Sequence, residues 1–156
     1  MILFRFGDGV ARGDDLVTRL EWRRMAESRV RDAAALLKAR RYSAAYYLAG
    51  YAVESGLKAC VVAYVKKNLE VIFRDRKFSE KCWTHDFEEL LRLADLTARW
   101  VAEIAANPAL KRNWQVVKNW KETARYERKT RLEAERLYQA ITDPAHGVLP
   151  WIRNHW

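Results

Sequence analysis

An all-α fold, a single-domain antiparallel bundle of five to seven helices, is what this sequence predicts, and three observations carry it. Apolar residues recur at steps of three and four along several segments, and Thr, Asp or Asn stands just ahead of most of them. Hydrophobicity alternates with period two over no useful length, so strands are not required. At 156 residues the chain is about one domain long and buries roughly 70% of the surface its unfolded form exposes, so a single core suffices.

Residues 1–17 hold three glycines and show no period, which reads as a flexible leader; residues 18–156 read as the bundle domain. Thr18 and Glu21 stand at capping-box spacing, and Trp22, Met25, Val30, Ala33 and Leu37 follow on one face, so a helix is predicted over 19–40 with a basic outer face. A second is predicted over 43–66, with Ser43 as its N-cap and many small residues that admit a close neighbour. From 68 to 84 the pattern breaks into charge and isolated aromatics, which predicts an excursion or loop with at most a short helical turn. Asp86 with Glu89 opens the next helix, which ends near Asp95, and Thr97 caps one through Trp100 and Ile104. Asn107 followed by Pro108 starts another through Leu110, Trp114 and Val117. The stretch 121–129 lacks apolar period. Thr130 and Glu133 repeat the capping box, and Asp143 with Pro144 opens a last, irregular segment in which Leu149, Ile152 and Trp156 share a face.

Composition narrows the function classes. Half the residues are hydrophobic and 31% are charged, with no low-complexity run, the profile of a soluble globular chain. Glu54, Lys58 and Lys66 interrupt the longest apolar run before the roughly 18 residues a membrane span needs, so no membrane association is expected. The opening decapeptide lacks a signal-peptide core, and a cytoplasmic setting is expected. Cys60 and Cys82 are too few for a disulfide framework, and no Cys/His spacing suggests zinc; no metal and no cofactor is expected. No phosphate-loop, dinucleotide or Ser/His/Asp motif is present. The formal net charge is +9, which makes a polyanion such as nucleic acid a candidate partner.

Two stretches stand out. In the second helix Tyr47, Tyr51, Glu54 and Lys58 fall within about 60° of one another at 100° per residue, while Ala45, Ala49, Ala52, Gly56 and Cys60 lie opposite. The small seam suits a close helix contact. The polar seam is either a wet face with a favourable i, i+4 ion pair or the lining of a cleft. Between 111 and 131 there are eight basic residues against two acidic ones, among them Lys118, Lys121 and Arg125, with Trp114, Trp120 and Tyr126 interleaved. Cations beside aromatic faces are what a nucleotide or single-stranded RNA requires, although Trp114 and Val117 also fit a helix's core side with the charges as its solvated face. His85 lies at a predicted helix start, where local hydrogen bonding explains it, and His146 and His155 have no partners at ligand spacing.

The run "ARRYSAAYYLAGYAVESGLKACV" closely resembles the second helix of HEPN domains (higher eukaryote and prokaryote nucleotide-binding). "HDFEELL", "KRNWQVVKNW", the pair Arg125–Tyr126 and "HGVLPWIRNHW" resemble later segments of a bacterial subgroup, so the likeness covers about residues 18–156. It implies a helical bundle that forms homodimers and a cleft for nucleotide or RNA. Many relatives are metal-independent ribonuclease toxins paired with a small nucleotidyltransferase antitoxin. Their active-site signature is an Arg followed a few residues later by a His. Here "YERKT" follows Arg125 and the next histidine is His146, so nuclease activity does not carry over.

Three readings result. The first is a nucleotide- or RNA-binding protein without nuclease activity, in a toxin-antitoxin or defence pair, with Tyr47, Tyr51, Glu54, Lys58, Lys118, Lys121, Arg125 and Tyr126 at the site. The second is a metal-independent ribonuclease in which Arg125 holds the scissile phosphate and His85 or His146 moves the proton. The third is a protein-interaction module whose Tyr47, Tyr51, Glu54 and Lys58 stripe meets a partner helix.

Overall fold

The computed structural model describes residues 18–156; the predicted leader lies outside the described residues. Among these the chain forms nine α-helices, one 3₁₀ helix and no strand. They are α1 (Arg19–Lys38), α2 (Tyr42–Lys67), α3 (Val71–Arg74), α4 (Phe78–Lys81), α5 (Phe87–Leu93), α6 (Thr97–Ala106), α7 (Pro108–Val117), the 3₁₀ helix Glu122–Tyr126, α8 (Arg131–Thr142) and α9 (Val148–Arg153). Seven of the α-helices exceed a single turn, and α3 and α4 are four-residue turns inside the predicted excursion.

α2 is the spine. It packs against α1, α5, α8, α9 and the 3₁₀ helix. By length and composition it is the one described helix apolar enough to cross a membrane, and 67% of its most apolar window is buried inside the bundle. Val53 and Leu57 are fully enclosed, each worth about 1.5–3 kcal/mol of burial. Ala45, Ala49, Ala52 and Cys60 of the small seam are buried too, and a Cβ on Gly56 would stand 3.0 Å from Ile152 and 3.3 Å from Leu149 of α9. That spacing is why α9 can lie so close. Burial pushes the Cys60 thiol up to about 12, so it packs as a small hydrophobe and carries no thiolate near neutral pH.

Local signals set most helix starts. Both capping boxes form, Thr18 with Glu21 and Thr130 with Glu133. The Asp86 side chain accepts from Glu88 and Glu89 N–H, and Asn107 accepts from Leu110 N–H ahead of Pro108. Four expectations need correction. α2 begins one residue earlier than predicted, with Arg41 at the N-cap and no side-chain cap. Ser43 is instead drawn to a distant loop, where its hydroxyl accepts the Lys129 N–H at 2.9 Å. Leu96, not Thr97, caps α6 because α5 ends in a Schellman turn that delivers the chain directly into it: Leu96 N–H donates to the Leu91 carbonyl and Asp95 N–H to the Arg92 carbonyl. The aperiodic stretch after Lys121 is a 3₁₀ helix, whose tighter winding does not follow a 3.6-residue period. Asp143 does not start α9; its side chain accepts from Ala145 and His146 N–H, and Gly147 occupies the N-cap.

The turn joining α1 to α2 is a second Schellman motif. Arg41 N–H donates to the Leu36 carbonyl at 2.8 Å and Arg40 N–H to the Leu37 carbonyl at 3.0 Å. Arg40 therefore has φ of 57°, a left-handed backbone usually occupied by glycine and costing an L-residue roughly 1–2 kcal/mol.

The aromatic core lies between α2, α5, α7 and the 3₁₀ helix. Trp120 stacks on Phe87 with ring centroids 5.4 Å apart and meets Tyr51 edge-on at 5.1 Å. Trp114 packs edge-on against Trp100 at 4.9 Å. Trp114 and Trp120 are both buried, which corrects their reading as stacking platforms for bases: the basic stretch 111–131 presents only Tyr126 of its three aromatics to solvent.

Candidate functional site

The polar seam of α2 is neither a wet face nor uniformly open. Its successive turns have different fates. Near the start of the helix Tyr47 and Tyr51 are half-buried, their hydroxyls 3.4 Å apart. Further on, Glu54 is 3% exposed and Lys58 6%, so the ion pair sits inside the fold. The Lys58 ammonium donates to Glu54 Oε1 at 2.7 Å, and the rings of Trp22 and Trp83 cover it at 5.2 and 5.9 Å. A cation between two indole faces is favourable beyond its ion pair. These contacts commit Lys58 to the protein interior.

Glu54 has a second partner. Its Oε2 lies 2.8 Å from His85 Nδ1, across 31 residues of sequence. The histidine is thus held by the second helix, not by the local start of α5 as its position suggested. With a carboxylate as acceptor, Nδ1 carries the proton and Nε2 is the nitrogen left to give or take one. The imidazole is 40% exposed and its carboxylate partner 4%, so one end of the pair is fixed and the other is accessible. Tyr51 adjoins the same ring, with centroids 6.2 Å apart.

Arg125 arrives from the 3₁₀ helix. It is exposed and stands 4.7 Å from the Tyr126 ring; Tyr126, and then Tyr47, keep its guanidinium charged by raising its pKa. Tyr51 lies between the two halves of the site. Burial first, then the Tyr47 hydrogen bond and the Glu54 charge, push its phenol far above the ordinary value, while Arg125 draws it down. Glu54 and Arg125 thus both act on Tyr51, but no ion pair joins them: Glu54 makes its ion pairs with Lys58 and His85.

Beyond Tyr47 the seam opens into a hollow of about 620 Å³ lined by Arg40, Arg41, Ser43, Tyr47, Arg125 and Lys129, among others. The sequence reading counted Lys129 in the basic stretch 111–131 but gave Arg40, Arg41 and Ser43 no part in the site. Ser43 was legible, since it continues the Tyr47–Tyr51 stripe one turn toward the helix start. Lys118 and Lys121 are exposed and take no part in these contacts.

The remaining histidines stay apart. His146 is exposed, with its carbonyl accepting from Asn113 and its N–H donating to Asp143. His155 Nδ1 pairs with the Trp151 carbonyl at 2.9 Å, and its ring lies on Trp151. Among the described residues no group of three His, Cys, Asp or Glu side chains stands together as a metal site would need. The arrangement offers charge-assisted anion binding, an exposed phenol face and one carboxylate-held imidazole. No protein-family model, no curated protein and no solved structure matches this chain.

Proposed function

We propose that the chain is a HEPN-like protein that binds a nucleotide or single-stranded RNA along the seam from Arg125 and Tyr47 to Tyr51 and His85. One observation carries this reading: a guanidinium from the 3₁₀ helix and the tyrosine stripe of α2 border one basic hollow. A guanidinium fork suits a phosphate, and the exposed ring of Tyr126, next to it, suits a base. On this reading the protein works in the cytoplasm as a homodimer, within a toxin-antitoxin or defence pair whose other member is a small nucleotidyltransferase.

Arg125→Ala tests it directly, because the side chain is exposed and its ring contact is with the likewise exposed Tyr126. Fluorescence anisotropy with a single-stranded oligoribonucleotide over a salt series is expected to show binding about tenfold weaker and a log–log salt slope reduced by about one. Affinity and slope both unchanged would dismiss this site.

A second reading, metal-independent RNA cleavage, is favoured by the Glu54–His85 pair. It replaces the choice between two histidines by one, since His146 makes no contact with the α2 seam. A buried carboxylate orienting an accessible imidazole is a general acid–base arrangement. If the protein is a ribonuclease, cleavage of RNA survives EDTA and is lost in His85→Gln but not in His146→Gln. No cleavage by the wild type leaves the binding reading alone.

A further inference from the structure

The hollow at the start of α2 is charged far beyond what a solvated turn needs. Arg40 and Arg41 project from the α1–α2 turn, are exposed, and make no ion pair or side-chain hydrogen bond among the described residues. Arg125 and Lys129 complete the lining. Glu127, 2.6 Å from the Lys129 ammonium, balances that lysine, which leaves three guanidinium groups uncompensated. The backbone beneath the lining is fixed: the Ser43 hydroxyl holds the Lys129 N–H at 2.9 Å, and the Schellman turn sets the Arg40 and Arg41 backbone. Arg40 occupies a left-handed position, φ 57°, where glycine would sit without strain. An arginine kept there against the backbone preference is consistent with work for its guanidinium.

We infer that this hollow is a subsite for a terminal phosphate monoester, the end of an RNA strand or the phosphate of a mononucleotide, and that it selects ends over internal phosphodiesters. The inference rests on the nucleotide or RNA reading above and deepens it. A monoester carries about −1.5 to −2 charge near neutral pH, against −1 for a diester, and offers three terminal oxygens to three guanidinium forks. Position agrees with charge. The hollow lies where the seam stops at the α1–α2 turn, while Tyr47, Tyr51 and His85 continue it the other way. A strand lying along the seam meets the hollow with its end.

The experiment compares adenosine with AMP, and one single-stranded oligoadenylate bearing a 5′-phosphate, a 3′-phosphate or hydroxyls at both ends. AMP and one of the phosphorylated strands are expected to bind about tenfold or more tightly than their unphosphorylated counterparts; the better strand identifies which end enters. Arg40→Gly with Arg41→Ala is expected to remove that preference, weakening AMP and the better phosphorylated strand about tenfold more than it weakens the hydroxyl-ended strand. Arg40→Gly alone is expected to keep or raise Tm, so loss of preference there is not misfolding. Equal binding of all strands, or a preference that survives the double substitution, overturns the subsite while Arg125-dependent binding still stands. If neither oligonucleotide nor nucleotide binds, the broader reading fails and the subsite with it.

Discussion

Glu54→Ala is expected to lower the free energy of unfolding by about 3–5 kcal/mol, the usual range when one partner of a buried pair is removed. The cost arises from what remains. Lys58 is 6% exposed, and without the carboxylate its ammonium stays beneath Trp22 and Trp83 with no counter-ion, while His85 loses the acceptor that orients it. Urea unfolding measures the change. The control is Glu54→Leu with Lys58→Met, which removes both charges and is expected to recover most of the loss, since well-packed apolar replacements of buried pairs are often neutral or better. A loss below about 1 kcal/mol in Glu54→Ala would mean that the pair behaves as a surface one, and that the buried-charge account is wrong.

The second large effect is expected from Gly50→Ala. On an isolated helix this change adds about 1 kcal/mol of stability. Here the added methyl would fall 2.1 to 2.2 Å from the indole atoms of Trp120. The ring cannot retreat, because Phe87 stacks on it and Tyr51 abuts it. The indole Nε1 is buried with no hydrogen-bond partner, so shape, not polarity, holds it in place. Overpacking of this kind is expected to reverse the helix gain and cost about 3 kcal/mol net, with a loss of near-UV circular dichroism from the tryptophans. A thermal melt showing the variant more stable than wild type would mean that the helix and the indole do not touch.

Much of the bundle was legible because its punctuation is local. A capping box needs only residues three apart, and Thr18, Asp86, Asn107 and Thr130 all act where the sequence put them. The failures have separate causes. Ser43 has a good cap's chemistry, but a loop 86 residues away claims its hydroxyl; Thr97 is displaced by the turn before it. The 68–84 excursion is legible as one, and α3 and α4 within it are too short to display a period.

The site was legible in outline and illegible in depth. Spacing placed Tyr47, Tyr51, Glu54 and Lys58 on one line, yet an i, i+4 Glu–Lys pair reads the same whether water or tryptophan surrounds it. Trp114 and Trp120 alternate with lysines in sequence, and only packing reveals that they turn inward. His85 was assigned to its nearest helix start because proximity along the chain was the only proximity then visible. The spacing makes Arg40 the last residue of the first helix and gives Arg41 no role, whereas α1 ends at Lys38 and Arg40 has a φ of 57°, a turn that nothing in the local spacing reports.

The Trp120 indole joins two jobs that proteins often keep separate. It sits at the centre of the interior aromatics and, five residues on, the chain presents Arg125 to solvent. The 3₁₀ helix that carries Arg125 to the rim of the hollow is anchored to that interior at both levels, by Trp120 against Gly50 just before it and by its own buried Ala124. Hydrogen exchange is expected to show the amides of the 3₁₀ helix opening together with those around Trp120, in one cooperative step and not as a separate flap.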